Sequence, residues 1–145
     1  MLLALASSSH AQDAALRTKQ FNLDNNLAIQ GYDPVAYFRE NKAVKGSKDL
    51  AVSYQGVLYY FSSAANKEEF KKNAAPYEPQ YGGWCAYAMG SKGEKVSVDP
   101  KTFRITNGKL YLFYNKFFNN TLTEWNKDEN GLKTKADANW TKIYK

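Results

Sequence analysis

The residue with the most distinctive chemistry in this sequence is its single cysteine, Cys85. It follows the pair Gly82-Gly83 and lies in a short apolar segment that reaches Gly90. We interpret this segment as a short helix that stops at Gly90, although a buried strand is the alternative for so short a run. A helix would place Cys85 in its first turn, where unpaired backbone N–H groups and the helix dipole favour a thiolate. Two interpretations of Cys85 stay open: a reactive thiol, or a small hydrophobic side chain buried in the core.

Met89 lies four residues after Cys85, so a helix would present both sulfur atoms on one face. A thiolate and a thioether together suit Cu(I), which prefers soft sulfur ligands, and they predict a copper half-site. Two core-facing side chains are the alternative, because methionine commonly fills gaps in hydrophobic cores.

The residue types present exclude a hydrolase that uses a cysteine nucleophile with a histidine as its base. The only histidine, His10, lies in an N-terminal segment that we expect to be removed, so no imidazole is left to act as a base for Cys85. A thiolate without a base suits binding or thiol exchange better than hydrolysis, and we therefore favour a role other than catalysis. If Cys85 is catalytic, it is a redox thiol that cycles through sulfenic acid or a mixed disulfide with an outside thiol.

The composition indicates one folded domain. The 145 residues carry a formal charge of +6, from 20 Lys and Arg against 14 Asp and Glu, and 15% of them are aromatic. That aromatic content excludes a disordered segment, and no apolar run approaches the roughly eighteen residues of a transmembrane helix. The lysines are scattered along the chain without a basic cluster, so we expect no nucleic-acid binding.

The N-terminal residues suggest export from the cytoplasm. Residues 1–11 are apolar and then small, and Ser9-His10-Ala11 offers the small residues that a signal peptidase reads. We interpret them as the remnant of a signal peptide, with ordinary coil as the alternative because no Lys or Arg precedes Arg17. The protein is then predicted to be periplasmic or secreted. Residues 12–26 show little periodicity, which predicts a flexible N-terminal arm.

Turn signals and apolar patterns predict a single compact α+β domain over residues 27–145, with antiparallel β-hairpins and short helices packed on one face. Gln55-Gly56 and Asn107-Gly108 each join two runs of β-branched and aromatic residues, which is typical of tight hairpins. The other predicted elements are a helix near 63–73 capped by Ser62 or Ser63, helices at 122–125 and 136–144, a strand at Lys95–Val98 and a turn at Asp99-Pro100.

Motifs that recur together in one family lie in the segments Gly31–Phe38, Tyr54–Phe61, Pro76–Ala86 and Gly108–Leu112. In combination they resemble the small secreted YHS-domain proteins of bacteria, and the resemblance covers nearly all of the chain after residue 27. It implies a YHS-like fold for this part of the chain. Some proteins of this branch carry selenocysteine at the position of Cys85, which implies redox or soft-metal chemistry there.

Related YHS domains in copper-transporting ATPases and some phenol hydroxylases imply soft-metal binding through cysteines. The corresponding positions in this sequence are Ala36, Ser62 and Asn66. A methyl group, a hydroxyl and an amide do not replace thiolates as ligands of Cu(I). A metal role therefore has to rest on Cys85 and Met89, with copper as the implied cofactor.

The remaining motif residues are predicted to line a site near Cys85. They are Tyr32, Asp33, Tyr37, Tyr77, Gln80, Tyr81, Gly82, Gly83 and Trp84. Asp33 also fits a turn former, and the tyrosines fit the edges of a core. Three functions stay open: binding or handling of a soft metal through Cys85, thiol-redox chemistry at Cys85, and a structural or interaction domain in which Cys85 is inert. The expected partner is a metal ion or a small redox ligand.

Overall fold

The computed structural model describes residues 13–145, in which short helices and strands alternate along the chain. Its helices are α1 (13–20), α2 (Pro34–Arg39), α3 (Ala64–Lys72), α4 (Ala86–Lys92), α5 (Thr121–Lys127) and α6 (Glu129–Ile143). Its strands are β1 (Leu23–Asp24), β2 (Leu27–Ala28), β3 (Ser47–Tyr54), β4 (Val57–Phe61), β5 (Asp99–Thr106), β6 (Lys109–Phe113), β7 (Asn115–Lys116) and β8 (Asn119–Asn120). The α+β class predicted from the sequence is confirmed. Within residues 13–145, no helix combines the length and the apolar character that crossing a bilayer requires.

The largest sheet has four strands in the order β1-β2-β4-β3. β3 and β4 form the predicted antiparallel hairpin across Gln55-Gly56. β2 runs parallel to β4, so the sheet also contains a pairing that the sequence did not predict. Alternate residues of β4, namely Val57, Tyr59 and Phe61, are fully buried. Tyr59 and Phe61 pack on Phe70 of α3, with ring centroids 4.9 and 5.1 Å apart, which fixes α3 on this face of the sheet.

β5 and β6 form the second predicted hairpin, and both residues of its turn, Asn107-Gly108, have positive φ, 52° and 72°. The side chains of β6 alternate between two groups of buried residues. Leu110 and Leu112 belong to the sheet cluster, which includes the β4 residues and Phe70. Tyr111 and Phe113 belong to the helix cluster, which includes residues of α4, α5 and α6. β6 is therefore a wall that the two clusters share.

α4 continues past Gly90, where the sequence predicted its end, and finishes at Lys92. Gly93, with a φ of 67°, provides the left-handed residue that ends the helix. Gly90 instead lets two helices approach closely, because a Cβ at this position would lie 2.5 Å from the carbonyl oxygen of Leu132 in α6. The predicted stop was wrong because glycine is selected for close packing as well as for helix ends.

The segment Lys95–Val98 does not form a strand, although its residues alternate. Its backbone bonds to the residue before α4 instead: the N–H of Cys85 donates to the carbonyl oxygen of Val96 at 2.8 Å. The predicted turn Asp99-Pro100 was also wrong, since these residues begin β5. The pairing register shifts between Asp99 and Phe103, and such an irregularity accommodates a proline that has no N–H to give to the ladder.

The N-terminal segment is packed over the part that the structure describes. Residues 13–20 are helical, and Arg17 and Gln20 are buried, where the sequence predicted a flexible arm over 12–26. Apolar periodicity is weak in α1 because a polar contact holds it: the Arg17 guanidinium lies 2.6 Å from a carboxylate oxygen of Glu78. The predicted signal-peptide remnant, residues 1–11, lies outside the described residues.

A third hairpin, made by β7 and β8, ends in an unusual turn. Its two turn residues are Phe117 and Phe118, with φ of 53° and 63°. Both side chains are exposed, at 88% and 110% of their reference areas. Left-handed backbone costs a residue with a side chain about 1–2 kcal/mol, so this tip is locally strained.

Candidate functional site

Cys85 is the residue before α4, and it lines a cavity of about 230 Å³. The walls come from α4, from the loop after it, from the segment between β6 and α5, and from the first residue of α5. They include Lys92, Glu94, Tyr114, Asn119 and Thr121. The Cys85 side chain itself exposes no surface to solvent. Neighbouring side chains would therefore have to move before a ligand in the cavity could reach the sulfur.

Two groups hydrogen-bond to the Cys85 sulfur. The backbone N–H of Tyr114 donates to Sγ at 3.3 Å, and Oγ1 of Thr121 lies 3.4 Å from Sγ. The Thr121 hydroxyl gives its own proton to the Tyr114 carbonyl oxygen at 2.7 Å. The Cys85 S–H is therefore the donor toward Thr121, because a hydroxyl has one proton. The sulfur thus has an N–H donor on one side and a hydroxyl oxygen that can accept on the other.

α4 contributes less to the sulfur than the sequence predicted. Cys85 is the N-cap residue rather than a residue of the first turn, and its side chain makes no cap hydrogen bond to the helix. The N–H that contacts Sγ belongs to Tyr114, the residue that follows β6. The polar surroundings of the thiol thus come from residues far away in the sequence.

Met89 does not line the Cys85 cavity. Its side chain is fully buried in the helix cluster, whereas Cys85 belongs to the sheet cluster. The four-residue spacing still links their backbones, because the N–H of Met89 donates to the carbonyl oxygen of Cys85 at 3.0 Å. Core packing, the alternative that the sequence left open, accounts for the position of Met89.

The nine other predicted site residues do not line this cavity either. The side chains of four of them donate hydrogen bonds to the rest of the fold: Tyr37, Tyr77, Tyr81 and Trp84. Gln80, Tyr81 and Gly82 line a different cavity, of about 350 Å³. Tyr32 forms an isolated β-bridge with Lys45, whose ammonium lies 5.6 Å from the centre of the tyrosine ring.

The pair Gly82-Gly83 packs against the segment that follows α1. Both residues have positive φ, 59° and 85°. A Cβ on Gly82 would lie 2.7 Å from the ring of Phe21, so this position needs glycine for close contact. The Asn22 side-chain amide donates to the carbonyl oxygen of Gly83 at 3.1 Å. The glycines therefore serve packing within the chain and do not border the cavity of the cysteine.

A buried ion pair ties α1 to the main sheet. Arg17 makes two hydrogen bonds to Glu78, at 2.6 and 3.2 Å, and the hydroxyl of Tyr59 donates to the same carboxylate at 2.5 Å. Arg17 also donates from Nε to the carbonyl oxygen of Gln55 at 3.0 Å. Burial, followed by the Glu78 charge, raises the pKa of Tyr59 well above its usual value. The network joins α1, the β3–β4 turn and the loop after α3.

Asp33 is a fully buried carboxylate at the start of α2. One oxygen accepts from the N–H groups of Val35 and Ala36, at 2.8 and 3.2 Å. The other accepts from the N–H and hydroxyl of Ser62 and from the amide of Asn66, at 2.8, 2.7 and 2.8 Å. These five donors compensate the cost of burying the charge.

The segment from α2 to the loop before Gly82 contains Asp33's hydrogen-bond donors, the β3–β4 hairpin, α3 and Glu78. Residues 35–81 match the YHS domain family. No curated protein and no solved structure matches the chain. The narrower assignment to the secreted bacterial branch stays a prediction, and Cys85 lies just after the matched segment.

The segment that matches the YHS family brings together the three positions at which the resemblance implies cysteines. Ala36, Ser62 and Asn66 all donate to the carboxylate of Asp33. Their polar groups are thus engaged within the protein, and none of the three supplies the sulfur that Cu(I) prefers. The residues at this place do not fit a soft-metal site. Among residues 13–145, no group of three or more His, Cys, Asp or Glu side chains is arranged to hold a metal.

The sequence did not identify the other residues around Cys85. Tyr114 and Thr121 contact Sγ, yet they lie 29 and 36 positions away along the chain. Asn120, which caps α5 by accepting from the N–H of Leu122, was the one local signal, because it marks the start of the helix that carries Thr121. A cap predicts where a helix begins, but it does not predict what the first turn will contact.

Stability at alkaline pH provides a test of the buried tyrosines. Burial raises the pKa of Tyr37, Tyr59 and Tyr81, and it raises that of Tyr111 to about 12. In an unfolded chain tyrosine ionises near pH 10, so the folded state is favoured below about pH 10 and loses this contribution as the pH rises further. We expect the urea midpoint to be constant from neutral pH to about pH 9 and to fall steadily above about pH 10.

Tyr111→Phe provides the matched variant, because among the described residues the Tyr111 hydroxyl is buried and without a partner. Removing it is expected to leave stability at neutral pH unchanged or raised by up to about 1–2 kcal/mol, and to make the alkaline fall shallower. Urea unfolding curves measured at each pH check both expectations. A midpoint that stays constant to the highest pH, in either protein, would contradict them.

Proposed function

We propose that the protein is a non-hydrolytic binding protein that handles a soft metal ion, with copper as the first candidate, through Cys85. The observation that supports this most directly is that Cys85 is the sulfur-bearing residue among those that line the 230 Å³ cavity. Cu(I) selects sulfur over oxygen and nitrogen donors that are neutral and hard. We further propose that the protein works in the periplasm or outside the cell.

The residues around the sulfur suit this proposal. On binding a metal, the thiol would give its proton to solvent, and the Thr121 hydroxyl would be free to turn and donate to the thiolate. The N–H of Tyr114 already points at Sγ and would stabilise the negative sulfur. Lys92 and Glu94 both line the same cavity, so one positive and one negative side chain lie there.

One sulfur in the cavity favours transfer over storage. Because Met89 lies in the helix cluster, the second ligand of a bound metal ion would come from outside the chain, from a small thiol or from a partner protein. A site with one protein sulfur shares its ion easily, since the incoming partner supplies the remaining ligand. We therefore propose that the protein passes the ion on.

The decisive experiment is a Cu(I) titration against a competing chelator under reducing conditions, with native mass spectrometry of the same samples. We expect one copper per chain in the wild type and roughly a hundredfold or greater loss of affinity in Cys85→Ser, because the one soft ligand is removed. Met89→Leu is the matched control, since Met89 does not line the cavity. It should bind within about threefold of the wild type. Equal binding by wild type and Cys85→Ser would discard the proposal.

Thiol exchange is a second candidate, because the cavity of about 230 Å³ that Cys85 lines has the size to hold a small thiol. In this reaction the Cys85 thiolate attacks 2-hydroxyethyl disulfide, forms a mixed disulfide and releases one molecule of mercaptoethanol. The native mass spectrum then gains one mercaptoethanol adduct, which is absent from Cys85→Ser. A wild-type chain that binds no copper and forms no adduct would leave the structural role, with Cys85 as an inert core residue.

A further inference from the structure

The tip of the β7–β8 hairpin combines two features that a soluble fold normally avoids. Turns with two positive φ values favour Asn and Gly, as the β5–β6 turn has at Asn107-Gly108, but this one has Phe117-Phe118. Both rings are also exposed, so the rest of the fold gains no burial from them. A strained backbone that presents two unburied aromatic rings is explained by something outside the chain that buries them.

We propose that Phe117 and Phe118 insert into the interface of an anionic lipid membrane. Phenylalanine is one of the apolar residues with which surface-bound proteins reach about 5–10 Å into the boundary between headgroups and acyl chains. A hairpin with a two-residue turn is a narrow projection, and it holds both rings at its end. Shallow insertion of such a tip anchors a protein at the surface and needs no spanning segment.

The size of the apolar surface favours a membrane over a protein partner. Within residues 13–145, Phe117 and Phe118 are the large hydrophobic residues that are exposed. Two aromatic side chains bury roughly 300–500 Å², whereas a specific protein interface buries about 800 Å² on each partner and uses 20 or more residues. The apolar surface ends at the tip, so a protein partner would meet too small a patch for stable binding.

The charge around the tip fits anionic headgroups. Lys116 immediately precedes the two rings, and residues 115–120 contain no acidic residue. Two acidic side chains of neighbouring elements are engaged: Glu124 of α5 lies 3.1 Å from the ammonium of Lys127, and Asp99 of β5 accepts hydrogen bonds within its own strand. A third, Glu94, lines the Cys85 cavity together with Asn119 of β8. The chain as a whole carries a formal charge of +6. Anionic lipids attract such a surface, and salt weakens the attraction.

The test uses the 145-residue chain and vesicles that contain either equal parts of phosphatidylglycerol and phosphatidylcholine or phosphatidylcholine alone. The wild type is expected to co-sediment with the anionic vesicles and to bind the neutral ones much less. The double variant F117N/F118G should bind the anionic vesicles roughly tenfold less or weaker. Because Asn and Gly suit the turn, the same variant should melt about 3–6 °C higher than the wild type, so its loss of binding cannot come from unfolding.

F117L/F118L is the matched control, since it keeps two apolar side chains in the same turn. It should retain vesicle binding within about threefold. Equal binding by wild type and F117N/F118G would overturn the proposal, as would failure of the wild type to bind anionic vesicles. Dimers of the wild type that F117N/F118G converts to monomers, without vesicle binding, would identify the tip as a contact between copies and would also overturn it. None of these outcomes depends on Cys85.

Discussion

Replacing Asp33 with alanine is expected to lower the free energy of unfolding by about 3–5 kcal/mol. The carboxylate is fully buried and accepts five hydrogen bonds, so its removal leaves the N–H groups of Val35 and Ala36 and the amide of Asn66 without an acceptor. Each buried polar group that loses its partner costs about 1–3 kcal/mol, although the partly exposed Ser62 can turn to water. Urea or guanidinium unfolding at neutral pH measures the change.

Asp128→Ala is the matched control, because Asp128 also caps a helix but does so on the surface. Its carboxylate accepts from the N–H of Gly131 at 3.1 Å in an exposed position, so its loss should cost about 1 kcal/mol. Asp33→Asn provides a second variant in case Asp33→Ala does not fold. It keeps one accepting oxygen but turns an NH2 group toward Ser62 and Asn66, and a loss of about 2 kcal/mol is expected. Equal unfolding midpoints for Asp33→Ala and Asp128→Ala would contradict this account of the carboxylate.

Breaking the Arg17–Glu78 ion pair from one side is expected to cost about 3–5 kcal/mol, because the remaining charge stays buried without its partner. The exposed fractions of the two side chains are 9% and 12%, which leaves little solvent to screen the unpaired charge. Arg17→Met tests one side, and Glu78→Gln tests the other. Glu78→Gln also keeps an oxygen that accepts from Tyr59, so its cost should be the smaller of the two.

Arg39 and Glu69 supply the control for this pair. Their guanidinium and carboxylate groups lie 3.1 Å apart, but the side chains are 46% and 32% exposed, so Arg39→Met should cost about 0–1 kcal/mol. The double variant of Arg17 and Glu78 should lose less than the sum of its single variants, since it removes both buried charges. Denaturant unfolding measures the loss of stability in each variant. If Arg17→Met loses as little stability as Arg39→Met, water reaches the Arg17–Glu78 pair and this account is wrong.

Local chemistry made part of the fold predictable. Asn107-Gly108 accepts two positive φ values, so it identified the β5–β6 hairpin from sequence. Ser63 caps α3 as predicted, because a serine side chain that accepts from the N–H of Asn66 compensates an unpaired helix donor. Gly90 misled the prediction of the helix end. A side chain at this position would collide with the backbone of α6, and the local sequence around Gly90 contains no sign of that contact.

The candidate site was less predictable than the fold. The sequence singled out Cys85, and the structure sets it against a cavity. The predicted neighbours of the cysteine were those close to it in the motifs, whereas its contacts come from Tyr114 and Thr121. Contacts between distant segments depend on how the two hairpins and α5 pack together, and this packing leaves no periodic trace in the sequence.

The position of β6 has a consequence for how the protein melts. The residues of this strand face the sheet cluster and the helix cluster in turn. Sliding β6 by one position against β5 would therefore turn each of its side chains toward the other cluster. Leu110 would then take the place of an aromatic ring, and Tyr111 would enter the space of a smaller side chain. Neither cluster can therefore lose its packing while the other keeps its native structure. We expect the sheet cluster and the helix cluster to unfold together in one cooperative transition.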